Sequence, residues 1–209
     1  EVKLASAPTT PFWVYCLDPL EGFNNSTNAT TSMSLFTYLN GVQYAGQFSG
    51  SNYANAVAGG YQAQNTNTVL TKLVDLYSHA YNDSLMNSTK SAAFQYAVWE
   101  VIGGTDYSGT SSNSLRYGAN NTDANFKSAA NVYLAGLSTG SWGSLAAVND
   151  KFTYTVYTSD PSTASQNLLR VTSSTNNNTG APVPEPGSLA LVSAAFAGLV
   201  YSSRRRKTA

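Results

Sequence analysis

The spacing of apolar positions along the chain changes period twice. Phe12 to Leu17 is apolar on both alternating faces, which predicts a strand buried on both sides. The Asn/Ser/Thr run over residues 24–32 predicts a loop, and short strands are expected around Leu35–Tyr38 and Val42–Phe48. From Thr68 the spacing turns helical, because Val69, Leu73, Leu76, Tyr77, Ala80 and Tyr81 recur three and four residues apart. A second helix is expected over Thr89–Ile102, capped by Ser88 and stopped at Gly103 and Gly104. A third is expected over Thr122–Leu137, ending at Gly140. Alternation returns in "KFTYTVYTS" from Lys151, and Asn167–Thr172 predicts one more strand. Strands, three helices, then strands is an α+β order. It implies a β-sandwich or barrel-like sheet carrying an inserted bundle of about three helices.

The last part of the chain breaks with this body. Residues 173–183 form a Ser/Thr/Asn linker, too polar to bury much surface. Gly187 to Tyr201 is uncharged and mostly apolar, and Arg204, Arg205, Arg206 and Lys207 follow it. As a helix that stretch rises about 22 Å, short of the roughly 30 Å hydrocarbon core. The arginines would stay cytoplasmic, placing residues 1–180 outside. One reading is a permanent membrane anchor. The other is a sorting signal, because Pro184, Glu185 and Pro186, a short apolar helix and the arginine cluster resemble the PEP-CTERM signal of Gram-negative bacteria. That resemblance implies recognition and cleavage by an exosortase, with the helix only transiently in the inner membrane. The product would be attached at the cell surface, held in the extracellular matrix or secreted.

Composition supports an exported chain. Charged residues are 11%, about half the usual share, so the surface must be covered largely by neutral polar groups. Lysine plus arginine and aspartate plus glutamate are equal at 11 each, but four of the basic residues sit in the tail. The body is therefore net acidic, which argues against nucleic acid as a partner. A single cysteine excludes an internal disulfide and a Cys-rich zinc site, and no cofactor or metal motif stands out. The Asn-X-Ser/Thr matches at Asn24, Asn25, Asn28, Asn82, Asn87 and Asn120 are expected by chance in such a composition. The chain opens without methionine or an apolar run, as expected after removal of a signal peptide or in a piece of a longer protein.

That cysteine, Cys16, lies in the aromatic stretch "FWVYCLDP". The second helix, "AAFQYAVWE", is apolar nearly all round and so reads as buried, with Gln95 in its middle. A buried carboxamide without hydrogen-bond partners costs roughly 1–3 kcal/mol. Backbone groups of a neighbouring element satisfy most such glutamines. Here a second resolution exists, since a thiolate held against the carboxamide displaces ammonia and leaves an internal Cys–Gln thioester.

The same residues carry a family resemblance. "VYCLDP" resembles the cysteine strand of bacterial thioester domains, and "FQYAVWE" their glutamine helix. The order of parts agrees over residues 11–172, after an N-terminal segment of residues 1–10 and before the linker and the sorting signal of 184–209. Such domains occur in Gram-positive surface adhesins, so a PEP-CTERM tail implies an equivalent surface role in another envelope. No array of repeated stalk domains follows, which departs from a long-reach adhesin. The resemblance implies that Cys16 and Gln95 form the thioester and that a primary amine attacks it, on a surface protein or a polyamine. Each molecule would react once, as a covalent binder and not an enzyme. Tyr15, Tyr96 and Trp99, with Phe12 and Trp13, are candidates to shield the bond from water. Asp18 and Glu100 are candidates for polar support.

Two rivals remain. A non-reactive matrix or carbohydrate-binding module would keep Cys16 as a plain buried thiol. A Cys-His hydrolase would need a histidine facing the thiol. His79 instead falls on the polar side of the first long helix, four residues after Asp75.

Overall fold

The computed structural model describes residues 2–4, 7–19, 30–48, 61–104, 107, 123–147, 152–159 and 166–173. All of them belong to one compact unit, residues 1–174, and a second unit comprises 175–209. The linker, the expected apolar helix and the sorting residues Pro184, Glu185, Pro186, Arg204, Arg205 and Arg206 lie outside the described residues. So does most of the expected 24–32 loop, whose last residues are strand. Among the described residues, no helix is long and apolar enough to cross a membrane.

The α+β organisation is borne out. Strands β1 (Val2–Leu4) and β2 (Ala7–Phe12) pair as an antiparallel hairpin of their own. The main sheet is antiparallel and four-stranded, in the order β3-β6-β5-β4. It comprises β3 (Tyr15–Cys16), β4 (Thr30–Ser34), β5 (Phe152–Ser159) and β6 (Leu168–Ser173). Its register places Tyr15 opposite Leu169, Leu169 opposite Val156, and Val156 opposite Met33. That row runs across one face, and its Tyr15, Leu169 and Val156 are buried. The row including Cys16, Leu168, Tyr157 and Ser32 alternates onto the other face.

Three helices supply the other layer: α3 (Thr66–Ser84), α4 (Ser88–Gly103) and α5 (Ala124–Thr139). Each begins on a side-chain cap. Asn65 accepts from the amides of Asn67 and Thr68, Asn87 from Lys90, and Asp123 from Asn125 and Phe126. The cap of α4 is thus Asn87, one residue before the expected Ser88. Helix α5 stops at Gly140, whose φ of 74° is the left-handed conformation glycine tolerates. Helix α4 is central, burying Ala93, Phe94, Ala97, Val98, Val101 and Ile102 between its neighbours.

Two expectations fail. The strands expected around Leu35–Tyr38 and Val42–Phe48 are short helices, α1 (Leu35–Leu39) and α2 (Val42–Gly46). Ser34 caps α1 through the Thr37 amide, and Leu35, Tyr38 and Leu39 then reach the core from one face. The strand expected over Phe12–Leu17 is also broken. Trp13 and Val14 carry no strand pairing, and the Trp13 side chain is 44% exposed, so this apolar run is not buried on both faces.

Candidate functional site

Strand β3 is an edge, and its edge defines the site. The Leu17 amide donates to the Asn167 carbonyl at 2.8 Å, continuing the pairing with β6. In an antiparallel strand, successive residues aim their peptide groups to opposite sides. Cys16 therefore turns its N–H and C=O away from β6, where an edge strand ordinarily leaves them unpaired. Helix α4 brings Gln95 to that edge. The Cys16 amide donates to Gln95 Oε1 at 2.7 Å, and Gln95 Nε2 donates to the Cys16 carbonyl at 2.8 Å. Two residues 79 positions apart are thus joined by a reciprocal pair of hydrogen bonds. The glutamine side chain takes the place that a neighbouring strand's peptide group would take.

The Cys16 thiol is free and partly buried. Burial pushes it up to about 11, and the charge of Asp18 pushes the same way. It is therefore a protonated thiol at neutral pH. Asp18 and Glu100 are both buried. Asp18 acts electrostatically on Cys16, Tyr38 and Tyr61, and Glu100 on Tyr61 and Tyr107, so both acids adjoin the tyrosine layer beside the site.

The aromatic candidates sit in different places. Tyr15, adjacent to Cys16 on the strand, faces the core. Its ring lies 4.7 Å from Phe94 and its hydroxyl 2.8 Å from that of Ser84. Tyr96 is buried, with its ring 6.1 Å from Phe126 of α5. Trp99 is half-buried, and its indole N–H has no hydrogen-bond partner among the described residues. Phe12 lies under the Arg170 guanidinium, 4.3 Å from its ring centre, and Trp13 faces solvent.

Three nearby residues take parts beside the site that the sequence did not point to. Tyr61 is fully buried and donates its hydroxyl to the Trp99 carbonyl at 3.0 Å. A Cβ on Gly103 would stand 2.4 Å from the Tyr61 ring, so this glycine makes room for it as well as ending α4. Asn167, besides receiving the Leu17 amide, donates to the Tyr38 hydroxyl at 3.2 Å. The Gly-Gly doublet was the visible trace of Tyr61, but a helix stop explained it equally well.

His79 is more covered than its helix position predicts. Its ion pair with Asp75 is present at 3.7 Å. The imidazole also stacks on Trp142, centroids 4.6 Å apart and planes 4° from parallel, and Nδ1 lies 2.6 Å from the Leu145 carbonyl. Trp142 fits there because Gly136 has no Cβ, which would stand 2.3 Å from the indole. Both imidazole nitrogens are thus engaged elsewhere than at Cys16. Among the described residues, no cluster of His, Cys, Asp and Glu is placed to hold a metal ion.

Residues 182–207 match the family model of the PEP-CTERM protein-sorting motif. The motif marks an exported protein, bound for the cell surface or for secretion, and implies processing by an exosortase. Among solved structures, the chain is similar to the N-terminal thioester domain of a surface protein from Clostridium perfringens, in a cysteine-to-alanine mutant. Identity is 13%, the match covers 82% of this chain and 86% of that one, and the TM-score is 0.46. No curated protein matches the chain.

Proposed function

We propose that this exported protein captures a primary amine covalently through an internal thioester between Cys16 and Gln95. The observation that carries the reading is the reciprocal hydrogen bonding of the Gln95 carboxamide to the Cys16 backbone. It seats the carboxamide on the backbone of the residue that carries the thiol. With the thiol brought into attack geometry on the carbonyl carbon, confinement would be worth effective molarities of about 10⁵–10⁸ M, enough to drive a slow acyl transfer without an enzyme.

The backbone also has a chemical part in the reaction. The Cys16 amide already points at Oε1, where negative charge develops when sulfur adds to the carbonyl carbon. Sulfur forms its bond to Cδ, the C–N bond breaks, and the thiol proton leaves on the departing nitrogen as ammonia. Addition of sulfur ends the amide resonance, so the nitrogen becomes basic in the tetrahedral intermediate and takes the proton there. A primary amine on a surface protein, or a polyamine, later attacks the same carbon. It forms an amide to Gln95 and returns the thiol to Cys16. Each molecule reacts once, so the protein is a covalent adhesin or matrix tether and not a turnover catalyst.

A second reading has its own support. The two hydrogen bonds also give both polar atoms of the Gln95 side chain a partner, as a plain structural tie across the sheet edge would. Intact mass of the folded full chain separates the two. The thioester reading expects a deficit of one ammonia, abolished by Cys16→Ala or Gln95→Ala and converted by methylamine into a stable adduct. A mass equal to that of the plain sequence, with a thiol that reacts freely after unfolding, leaves only the structural tie.

A further inference from the structure

Apart from the Cys16–Gln95 contact, the bundle carries an open cleft of about 440 Å³ where the turn from α3 to α4 meets α5. One wall is a face of α5, with Asn125, Ser128, Ala129 and Val132 at helical spacing. The first turn of α4 opposes it with Thr89 and Lys90, next to the cap Asn87. The floor is a fixed network. Asp83 accepts from Lys90 Nζ at 2.5 Å and from the Tyr133 hydroxyl at 2.7 Å, and Tyr133 is only 1% exposed.

Three properties narrow the ligand. Asp83 and Lys90 neutralise each other inside the cleft, so neither an anion nor a cation meets an uncompensated opposite charge. The remaining polar groups are hydroxyls and carboxamides, which donate and accept equally well and match a ligand with several hydroxyls. Ala129, Val132 and Leu145 add an apolar surface for a C–H face. A pyranose ring carries hydroxyls on its rim and C–H groups on its faces. The volume is within the range of small-ligand sites. We propose that this cleft is a binding site for neutral carbohydrate. It acts non-covalently and independently of the thioester. An exported protein with both features holds glycan reversibly at one end of its helical layer and captures an amine irreversibly at the sheet edge.

The test uses the full chain carrying Cys16→Ala, which removes covalent capture from the readout. Saturation-transfer NMR and calorimetric titration are run with maltose, cellobiose and lactose as neutral probes. Glucuronic acid and glucosamine serve as charged probes, and tetra-alanine as a peptide probe. The expected result is binding of at least one neutral disaccharide in preference to the charged sugars and the peptide. Asn125→Ala, on the exposed face of α5, weakens it by about three- to tenfold, the worth of one hydrogen bond. Ser128→Trp fills the cleft from the same face and abolishes it, with helix content unchanged by circular dichroism. Absence of binding by all three disaccharides overturns the proposal. So does binding that survives Ser128→Trp, or a preference for a charged sugar or the peptide.

Discussion

Gln95 has an observed role toward the Cys16 backbone and, in the proposed thioester, a separable one toward its thiol. The backbone role needs no sulfur, since both hydrogen bonds go to the peptide groups of residue 16. Cys16→Ala therefore keeps the edge satisfied and serves as the reference for stability. Adding Gln95→Ala to it strands the N–H and C=O of residue 16 on the edge of β3. That double variant is expected to lose about 1–3 kcal/mol against Cys16→Ala alone, measured by chemical denaturation. Equal stability of the two would mean that the carboxamide is not seated on the strand as described. Sequence alone could name both residues, because a lone thiol and a lone carboxamide in apolar segments each need a reason. It could not show how they meet. The edge position of β3 comes from its pairing with β6, and that partner is contributed from more than 150 residues further along the chain.

At the scale of elements, legibility followed length. Helices α3, α4 and α5 run 16 to 19 residues, long enough for a 3.6-residue period to stand out and for caps to bracket it. Helices α1 and α2 have five residues each, and their apolar and aromatic content reads equally well as strand. The information that decided α1 was local, a serine cap and one buried face, but five residues give no period to detect. The packing between helices was hidden for another reason: it depends on absent atoms. Gly136, inside α5, looks like a weak helix former, whereas it is the seat of Trp142. Gly136→Ala should therefore destabilise the protein, although alanine is the better helix former by about 1 kcal/mol. The added methyl meets the indole at 2.3 Å, and Trp142 must leave its stack on His79. The expected outcome is a loss of about 1–3 kcal/mol by thermal or chemical unfolding, with a red-shifted tryptophan emission. A gain in stability would show that propensity, not the Trp142 contact, governs this helix.

Across the whole molecule, a chain poor in charge has built its core from tyrosine. Of 14 tyrosines, Tyr15, Tyr38, Tyr44, Tyr61, Tyr77 and Tyr133 are all buried, as is Tyr96. Tyr77 alone lies within ring-contact distance of Tyr15, Tyr81, Phe94, Phe152 and Tyr154. Except at Tyr77, whose hydroxyl has no partner among the described residues, each ring contributes apolar area and a hydroxyl that ties elements together, as Tyr44 does to the carbonyl of Ile102 at 2.9 Å. The consequence appears at high pH. Burial pushes Tyr44 up to about 12, burial followed by the charge of Asp18 pushes Tyr38 higher still, and burial followed by the charge of Glu100 raises Tyr61 well above its ordinary value. A phenol whose folded value is raised keeps its proton where the unfolded chain releases it. Its stabilising effect is complete below the ordinary value near 10 and disappears as pH rises through the raised value. With many such groups the losses add, so stability should fall steeply once pH exceeds 10. The check is a spectrophotometric titration of tyrosine followed together with circular dichroism. The buried set should ionise only in step with the loss of helical circular dichroism. Smooth ionisation of all tyrosines near 10 with the helical signal intact would mean that this layer is open to water.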